Sequence, residues 1–364
     1  MKPLYIVGTQ RNIGKTTFCI GLISALRERG LRIGYTKPLG QRITTVAGEA
    51  VHDDALVISR AMGIDIGGAD SATVALTRGR VEKEIFDLRS PQLAERIVAV
   101  AGRLKADNDL VIVEGMGNVA MGSCLKLSGA DVARVLGARP LLIGGGGIGR
   151  AIDEIAICET FLAARDAPMI GVAINKVWPE KYDRVRVAVT RGLANLDIRC
   201  FGTVPYQEVL ASPTVGQVAA ELGGEVICGR DALGSRVGKT IVAAMEAQHM
   251  VSYLTERSLV ITPGDRSDNI LAIVSAHVLP FRGAAPVSGI ILTGGIRPAD
   301  NVMRLLGESR LPAVLFKEDT YTLAARLRDT LLKITPDDTE RIDAAMHLIN
   351  RHVDVDGILK ALED

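Results

Sequence analysis

Between its first apolar run and its first helix the chain passes through a loop bounded by glycines, Gly8-Thr9-Gln10-Arg11-Asn12-Ile13-Gly14-Lys15-Thr16-Thr17. The run before it, Leu4-Tyr5-Ile6-Val7, has the length and composition of a buried strand. The segment after it, Thr17 to Arg29, places Leu22, Ile23 and Leu26 on one helical face and stops at Gly30. Strand, glycine loop, Lys-Thr and helix, in that order, form the context that a phosphate-binding loop needs. The loop N–H groups and the helix N-terminus would point at an anion. Lys15 is expected to face solvent and reach the β- and γ-phosphates of a nucleotide, and the Thr16 hydroxyl to ligate Mg²⁺. Five residues rather than four separate Gly8 from Gly14, so the spacing departs from the standard loop. The bland alternative is a turn that happens to be rich in glycine, and the flanking strand and helix both weigh against it.

Strands and helices then alternate. Arg32 to Thr36 reads as a second strand that delivers Lys37-Pro38, and a lysine there lies where open α/β sheets place their ligands. A solvated strand-end lysine is the competing reading. Asp53-Asp54 reads as the start of a helix running to Met62, since carboxylates favour a first turn. Residues 66–88 read as loop with an edge strand. Ser90-Pro91 reads as N-cap and first helical residue of a helix to about Lys105. Asp109 to Val113 is a buried strand ending in Glu114-Gly115, an acidic tip of the kind that holds Mg²⁺ or its water beside a phosphate loop. Further strands are expected at 140–143, 169–174 and 198–204, with helices at 151–164 and 179–194. The glycine run 144–149 matches a dinucleotide fingerprint only loosely. Asn175-Lys176 follows a strand in the manner of residues that face a purine, and Pro205-Tyr206 closes the last strand.

Composition narrows the class. A net charge of +1 argues against a nucleic-acid binder. Aromatics make up 4% of the residues and glycines number 38, which suits parallel strands of Val, Ile, Leu and Ala under helices. No apolar run reaches about 18 residues, so no membrane span is expected. Met1-Lys2-Pro3 leads directly into the first strand, without room for a signal peptide. The five cysteines show no paired spacing and are expected to be reduced, buried thiols of a cytoplasmic protein, and the five histidines form no zinc pattern.

The second half holds Gly234-Ser235-Arg236-Val237-Gly238-Lys239-Thr240, which imitates a phosphate loop. Only three residues separate its glycines and no buried strand precedes it, so it reads as a helix start with an exposed Lys239. Strands at 259–261, 288–292 and 313–316 end in Thr262-Pro263-Gly264-Asp265-Arg266, Thr293-Gly294-Gly295 and Asp319-Thr320 respectively. The tail, 339–363, reads as two amphipathic helices whose apolar stripes are packing surface.

On the loop Gly8-Thr9…Gly14-Lys15-Thr16, on Lys37-Pro38, Asp54, Val113-Glu114-Gly115, Asn175-Lys176 and Val204-Pro205-Tyr206, residues 1 to about 210 resemble dethiobiotin synthetase and its cobyrinate amidase-type relatives. The resemblance implies a Rossmann-like, doubly wound parallel sheet of the P-loop NTPase kind and often a homodimer. It implies ATP at Gly8, Thr9, Asn12, Gly14, Lys15, Thr16 and Thr17, with Asn175 and Pro205 bordering the adenine. It also implies Mg²⁺ at Thr16, Asp54 and Glu114, and Lys15 and Lys37 beside the transferred phosphate. Gln10, Met116-Gly117-Asn118 and Gly147-Ile148-Gly149-Arg150-Ala151 depart from the family pattern and point away from a biotin-pathway substrate. Residues of about 230 to 335 resemble the DRTGG domain through Asp265-Arg266 and Thr293-Gly294-Gly295. The tandem order is similar to the amino-terminal regulatory portion of long phosphotransacetylases, whose acetyltransferase part has no expected counterpart in these residues. The expected organisation is a P-loop ATP-binding domain over 1–212, a linker over 213–234, a smaller α/β DRTGG domain over 235–335 and C-terminal helices over 336–364. Two functions fit: a regulator or slow ATPase that senses a small molecule or signals to a protein partner, and an ATP-dependent carboxylate- or carbamate-amine ligase.

Overall fold

The computed structural model describes every residue except 47–48, 65, 67–73, 77, 88–89, 280–286, 331–332 and 364. The chain forms two compact units, one of Met1–Gln207 with Ile334–Asp364 and one of Glu208–Lys333.

The first unit opens with β1 (Leu4–Gly8), α1 (Lys15–Glu28) and β2 (Ile33–Thr36). Short pieces follow: β3 (Leu39–Gly40), β4 (Ile43–Val46), β5 (Glu49–His52), α2 (Asp53–Met62), β6 (Val74–Ala75) and α3 (Arg78–Asp87). The regular alternation resumes with α4 (Ser90–Asp107), β7 (Leu110–Asn118), α5 (Gly129–Val135), β8 (Arg139–Gly145), α6 (Gly149–Ala163), β9 (Gly171–Val177), α7 (Tyr182–Ala194) and β10 (Cys200–Pro205). Six parallel strands lie in the order β10-β9-β8-β1-β7-β2. Side chains alternate across such a sheet. Tyr5, Val7, Val113, Leu142, Val172 and Ile174 face a core closed by α4, α5, α6 and α7. Leu4, Ile6, Leu141, Ile143, Ala173 and Phe201 are equally buried but stand outside that core. Of the helices up to Ala194, α1 is the long one that right-handed winding sends to this second face.

The second unit contains α8 (Glu208–Ala211), α9 (Val215–Leu222), β11 (Glu225–Cys228), β12 (Lys239–Val242), α10 (Ala247–Met250), β13 (Ser258–Pro263), α11 (Ser267–Val278), β14 (Gly289–Thr293), α12 (Asp300–Ser309), β15 (Ala313–Leu315) and α13 (Thr320–Asp329). Its sheet runs β11-β15-β14-β13-β12, parallel except for β11. One apolar core lies under α10, α11 and α12, and another under α9 and α13. Residues 213–234, expected as linker, therefore belong to this unit. Thr214 and Gln217 close a capping box that starts α9, and β11 pairs with β15. The signal missed in the sequence is that of β11, which has no buried run. The imitation loop is not a helix start either: Lys239 opens the edge strand β12, exposed as expected.

The chain returns to the first unit with α14 (Thr339–His352) and α15 (Val355–Glu363). Asp338 caps α14 through the Arg341 N–H, and α14 packs along α1 and against β10. The expected separate C-terminal helices are thus the missing cover of the second sheet face. Two smaller expectations also change. Residues 78–87 are helical rather than loop, while much of 66–88 and the side chain of the expected N-cap Ser90 lie outside the described residues. Residues 43–46 and 49–52, for which no element was expected, pair as antiparallel strands. The thiols are free as expected, but Cys124 is exposed. Among the described residues no helix is long and apolar enough to cross a membrane.

Candidate functional site

The site lies at the carboxyl edge of the first sheet, where β1 feeds α1 on one face while β8 feeds α6 on the other. Such a reversal of winding opens the crevice in which α/β sheets hold ligands. The loop between β1 and α1 is fastened there by the Thr9 N–H, which donates to the Ile143 carbonyl at 3.0 Å. Gly14, the residue before α1, has φ 97°, and a Cβ on it would stand 2.6 Å from Asn175 Nδ2. Both its left-handed backbone and this close approach require glycine. Asn12 is also left-handed, with φ 61°. The loop is braced from β9: Asn175 Nδ2 donates to the Ile13 carbonyl at 2.9 Å, and Lys176 Nζ to the Asn12 carbonyl at 2.6 Å.

Four formal charges meet behind this loop. Lys37 Nζ donates to Asp54 Oδ2 at 2.5 Å and to Glu114 Oε1 at 2.6 Å, with all three residues buried. Thr16 Oγ1 donates to Glu114 Oε1 at 2.9 Å and Tyr35 OH to Glu114 Oε2 at 2.8 Å. Lys15 Nζ donates to the Gly117 carbonyl at 2.8 Å. Two ammonium groups therefore balance two carboxylates. Burial depresses Lys37, but the flanking Glu114 and Asp54 outweigh it and hold its pKa above the ordinary lysine value. Lys15 is the opposite case. It is 8% exposed rather than solvent-facing, and burial, only partly offset by Glu114, lowers its pKa to about 8.

Lys15, Thr16, Lys37, Asp54 and Glu114 are thus brought together; strand and helix ends pointed to four of them, and Asp54 entered only through the family resemblance. Asn175 adjoins the loop, but its amide serves the loop backbone and the Lys176 N–H. Pro205 ends β10 half-buried, and Thr17 sits half-buried in the first turn of α1. Tyr35 and Gly117 were not foreseen. Tyr35 looks like an ordinary strand aromatic, and a backbone acceptor leaves no signature in sequence. The donor set suits a hard cation: Thr16 Oγ1 and the Asp54 and Glu114 carboxylates are all oxygen ligands. Among the described residues no three His, Cys, Asp or Glu side chains cluster as a self-sufficient metal cage. Mg²⁺ commonly keeps several waters and shares its shell with phosphate, so a site for it needs few protein oxygens.

The low pKa of Lys15 makes a testable link to pH. A bound polyphosphate favours the ammonium form and raises that pKa. Nucleotide binding near pH 8.5 should therefore take up protons, and affinity should fall as pH rises beyond about 8. Calorimetry in buffers of different ionisation enthalpy measures the uptake directly. Proton-neutral binding at that pH would mean that Lys15 does not meet the ligand.

A parallel sheet with a glycine loop, an invading lysine and an acidic strand tip at its winding reversal defines the class: a P-loop protein of NTPase type. An AAA-domain family model matches residues 2–214, and the chain belongs to that family. A DRTGG-domain model matches residues 217–330. The chain is also similar to phosphate acetyltransferases. That of Pseudomonas putida is 28% identical over 369 residues, covering 97% of this chain and 51% of that protein. That of Nitratidesulfovibrio vulgaris is 28% identical over 363 residues, covering 96% and 50%. The chain therefore spans about half the length of the curated relatives it matches, and in this two-unit order it resembles long phosphotransacetylases. Among solved structures, the CBS and DRTGG domains of the Clostridium perfringens pyrophosphatase regulatory region, complexed with the activator diadenosine tetraphosphate, align at 19% identity and a TM-score of 0.28 over 38% of this chain and 60% of that one. The MinD cell division protein of Aquifex aeolicus aligns at 13% identity and a TM-score of 0.38 over 58% and 84%.

Proposed function

We propose that this chain binds Mg-ATP at the P-loop and acts as a nucleotide-dependent regulator or slow ATPase, with the DRTGG domain sensing a second ligand or joining two copies. The observation that carries the reading is the charge-balanced cluster of Lys15, Lys37, Asp54 and Glu114. Mg²⁺, when bound, supplies charge neutralisation for the β- and γ-phosphates. Thr16, Asp54 and Glu114 would hold it directly or through water, and Lys15 would take the phosphate side. Lys37 holds the same two carboxylates in the state described, so Asp54 and Glu114 would be shared between its ammonium and the metal. The phosphate acetyltransferases support a regulatory role, since this two-unit region makes up only about half of each. Residence in the cytoplasm and a dimeric assembly belong to the same proposal.

The second reading is an ATP-dependent carboxylate- or carbamate-amine ligase. Lys37, once released from the carboxylates, is favoured by its position at the end of β2 to stabilise a transferring phosphoryl group. Replacing Lys37 by alanine separates the two. Removing it leaves two buried carboxylates without their cation, a change that costs on the order of 3–5 kcal/mol. The variant should melt lower, and Mg²⁺ alone should restore part of the loss by taking the cation's place. With Mg²⁺ present, single-turnover ATP cleavage and equilibrium ATP binding are then compared with wild type. A rate reduced by on the order of 10² at unchanged affinity supports the ligase. Weakened affinity with an unchanged slow rate supports the regulator. A melting temperature indifferent to both the substitution and Mg²⁺ would remove the cluster from either account.

A further inference from the structure

Glu114 uses its two oxygens differently. Oε1 accepts from Thr16 Oγ1 and from Lys37 Nζ, the side on which a metal would be shared. Oε2 accepts from the Tyr35 hydroxyl at 2.8 Å. The strand register explains the second bond. Tyr35 on β2 pairs with Ile112 of β7, two residues before Glu114, so both side chains stand on the same face of the sheet. Two residues of strand advance about 6.6 Å, a gap that a phenol spans and a shorter hydroxyl side chain does not. Tyr35 is fully buried, and burial together with the neighbouring Glu114 carboxylate keeps the phenol protonated. It therefore gives Glu114 a fixed donor without adding charge to a balanced cluster. Cys19, buried beside the same carboxylate, offers only a weak S–H donor in its place.

We propose that Tyr35 sets the metal preference of the P-loop site: by holding Oε2 it leaves Glu114 a one-oxygen ligand, which suits Mg²⁺ and disfavours Ca²⁺. The inference rests on the Mg-ATP reading above and adds the residue that selects the cation. Ca²⁺ takes about six to eight oxygens and often both oxygens of one carboxylate, whereas Mg²⁺ takes a tighter octahedral shell and keeps several positions for water. Thr16 Oγ1, Asp54 and one oxygen of Glu114 suit the smaller shell, with phosphate and water completing it. Without the phenol hydroxyl, Oε2 would be a buried carboxylate oxygen lacking its donor, open to a cation large enough to bind both oxygens. Tyr35 is a positioning residue, since it acts on the metal only through Glu114.

The experiment measures binding rather than turnover. A non-hydrolysable ATP analogue is titrated calorimetrically into the full chain with saturating Mg²⁺ or Ca²⁺, for wild type, Tyr35→Phe and Tyr5→Phe. Tyr5 is the control: it is also buried and stands on β1, the other strand beside β7, but it faces the core on the opposite side of the sheet. Wild type and Tyr5→Phe should prefer the Mg²⁺ complex by the same ratio of affinities. In Tyr35→Phe that ratio should fall about tenfold or more, the scale of one hydrogen bond to a charged acceptor. Melting with each metal alone gives a second readout, in which Ca²⁺ should raise the melting temperature of Tyr35→Phe more than that of wild type. A wild type that binds both complexes equally would overturn the inference without any variant. An unchanged ratio in Tyr35→Phe would overturn it too, as would equal weakening of both complexes, since the phenol would then serve only packing. If wild type binds the analogue equally well with and without either metal, the Mg²⁺ reading itself fails and takes this inference with it.

Discussion

Replacing Lys15 by alanine should abolish measurable Mg-ATP binding while leaving the melting temperature unchanged or raised. The two halves of this result have one cause. Lys15 is buried against the Gly117 carbonyl, and burial lowers its pKa from 10.5 to about 8. Folding thus opposes the charged form. The penalty is fully present below the folded pKa of about 8, fades as pH rises, and is gone above the unfolded value of 10.5. At neutral pH a shift of this size corresponds to roughly 3–4 kcal/mol of destabilisation, and alanine removes it. The bond to Gly117 gives part of this back, a net contribution of about 1 kcal/mol. The ligand side is larger. A charge-assisted contact to a polyphosphate in a largely dry site is lost, and the loop N–H groups alone cannot balance the anion. Calorimetric titration and thermal denaturation across pH 7 to about 10 check both halves. The variant's stability advantage should shrink as pH approaches the upper end. Equal ATP affinity in the variant and wild type would sink the P-loop reading, however the melting temperature behaves.

The second large effect concerns the return of the chain to the first unit. Deleting residues 334–364 should leave the first unit unable to fold as a soluble species, even though all six strands of its main sheet precede Gln207. Ile342, Leu348, Ile349, Val355, Ile358 and Leu362 are buried. At about 1.5–3 kcal/mol for each fully buried apolar side chain, an upper estimate, their loss is comparable to the whole stability of a domain, about 5–15 kcal/mol. The deletion also uncovers the α1 side of β10 that α14 and α15 close. A fragment of residues 1–207 that is soluble, melts cooperatively and binds ATP would show that the tail is dispensable cover. A single methyl group gives a gentler test. Gly21 in α1 lies so close to α14 that an added Cβ would stand 2.4 Å from Ile349 Cγ1 and 2.5 Å from the Ala345 carbonyl. Helix propensity alone favours Gly21→Ala by about 1 kcal/mol. The backbone contact cannot yield without moving α14, so the overpacking cost of about 1–3 kcal/mol should win. Gly102 in α4 is the control, since a Cβ there meets nothing within 4 Å. Gly102→Ala should raise the melting temperature and Gly21→Ala lower it; if both raise it, the two helices are not in contact as described.

Local chemistry made much of this protein legible before any fold was seen. A glycine loop between a buried strand and a helix has few other uses. Val113-Glu114 and Thr36-Lys37 were recognisable because a charged residue ending an apolar strand stands out against its neighbours. The parallel sheets followed from the alternation of short apolar runs with helical periods, and the second family from two glycine-bearing strand ends. The tertiary structure decided whatever depends on groups distant in sequence. Lys37 sits between Asp54 and Glu114, 17 and 77 residues away, and that distance hides the pairing from any local pattern. The buried state of Lys15 arises from surroundings that include the Gly117 carbonyl, a backbone atom without residue identity. The linker at 213–234 dissolved into a sheet because an edge strand needs only one partner, β15, and β15 lies far along the chain. The tail shows the same limit most plainly. Its apolar stripes announced that α14 and α15 would be buried, but an amphipathic helix carries no address. Only the uncovered face beside α1 settled where they pack.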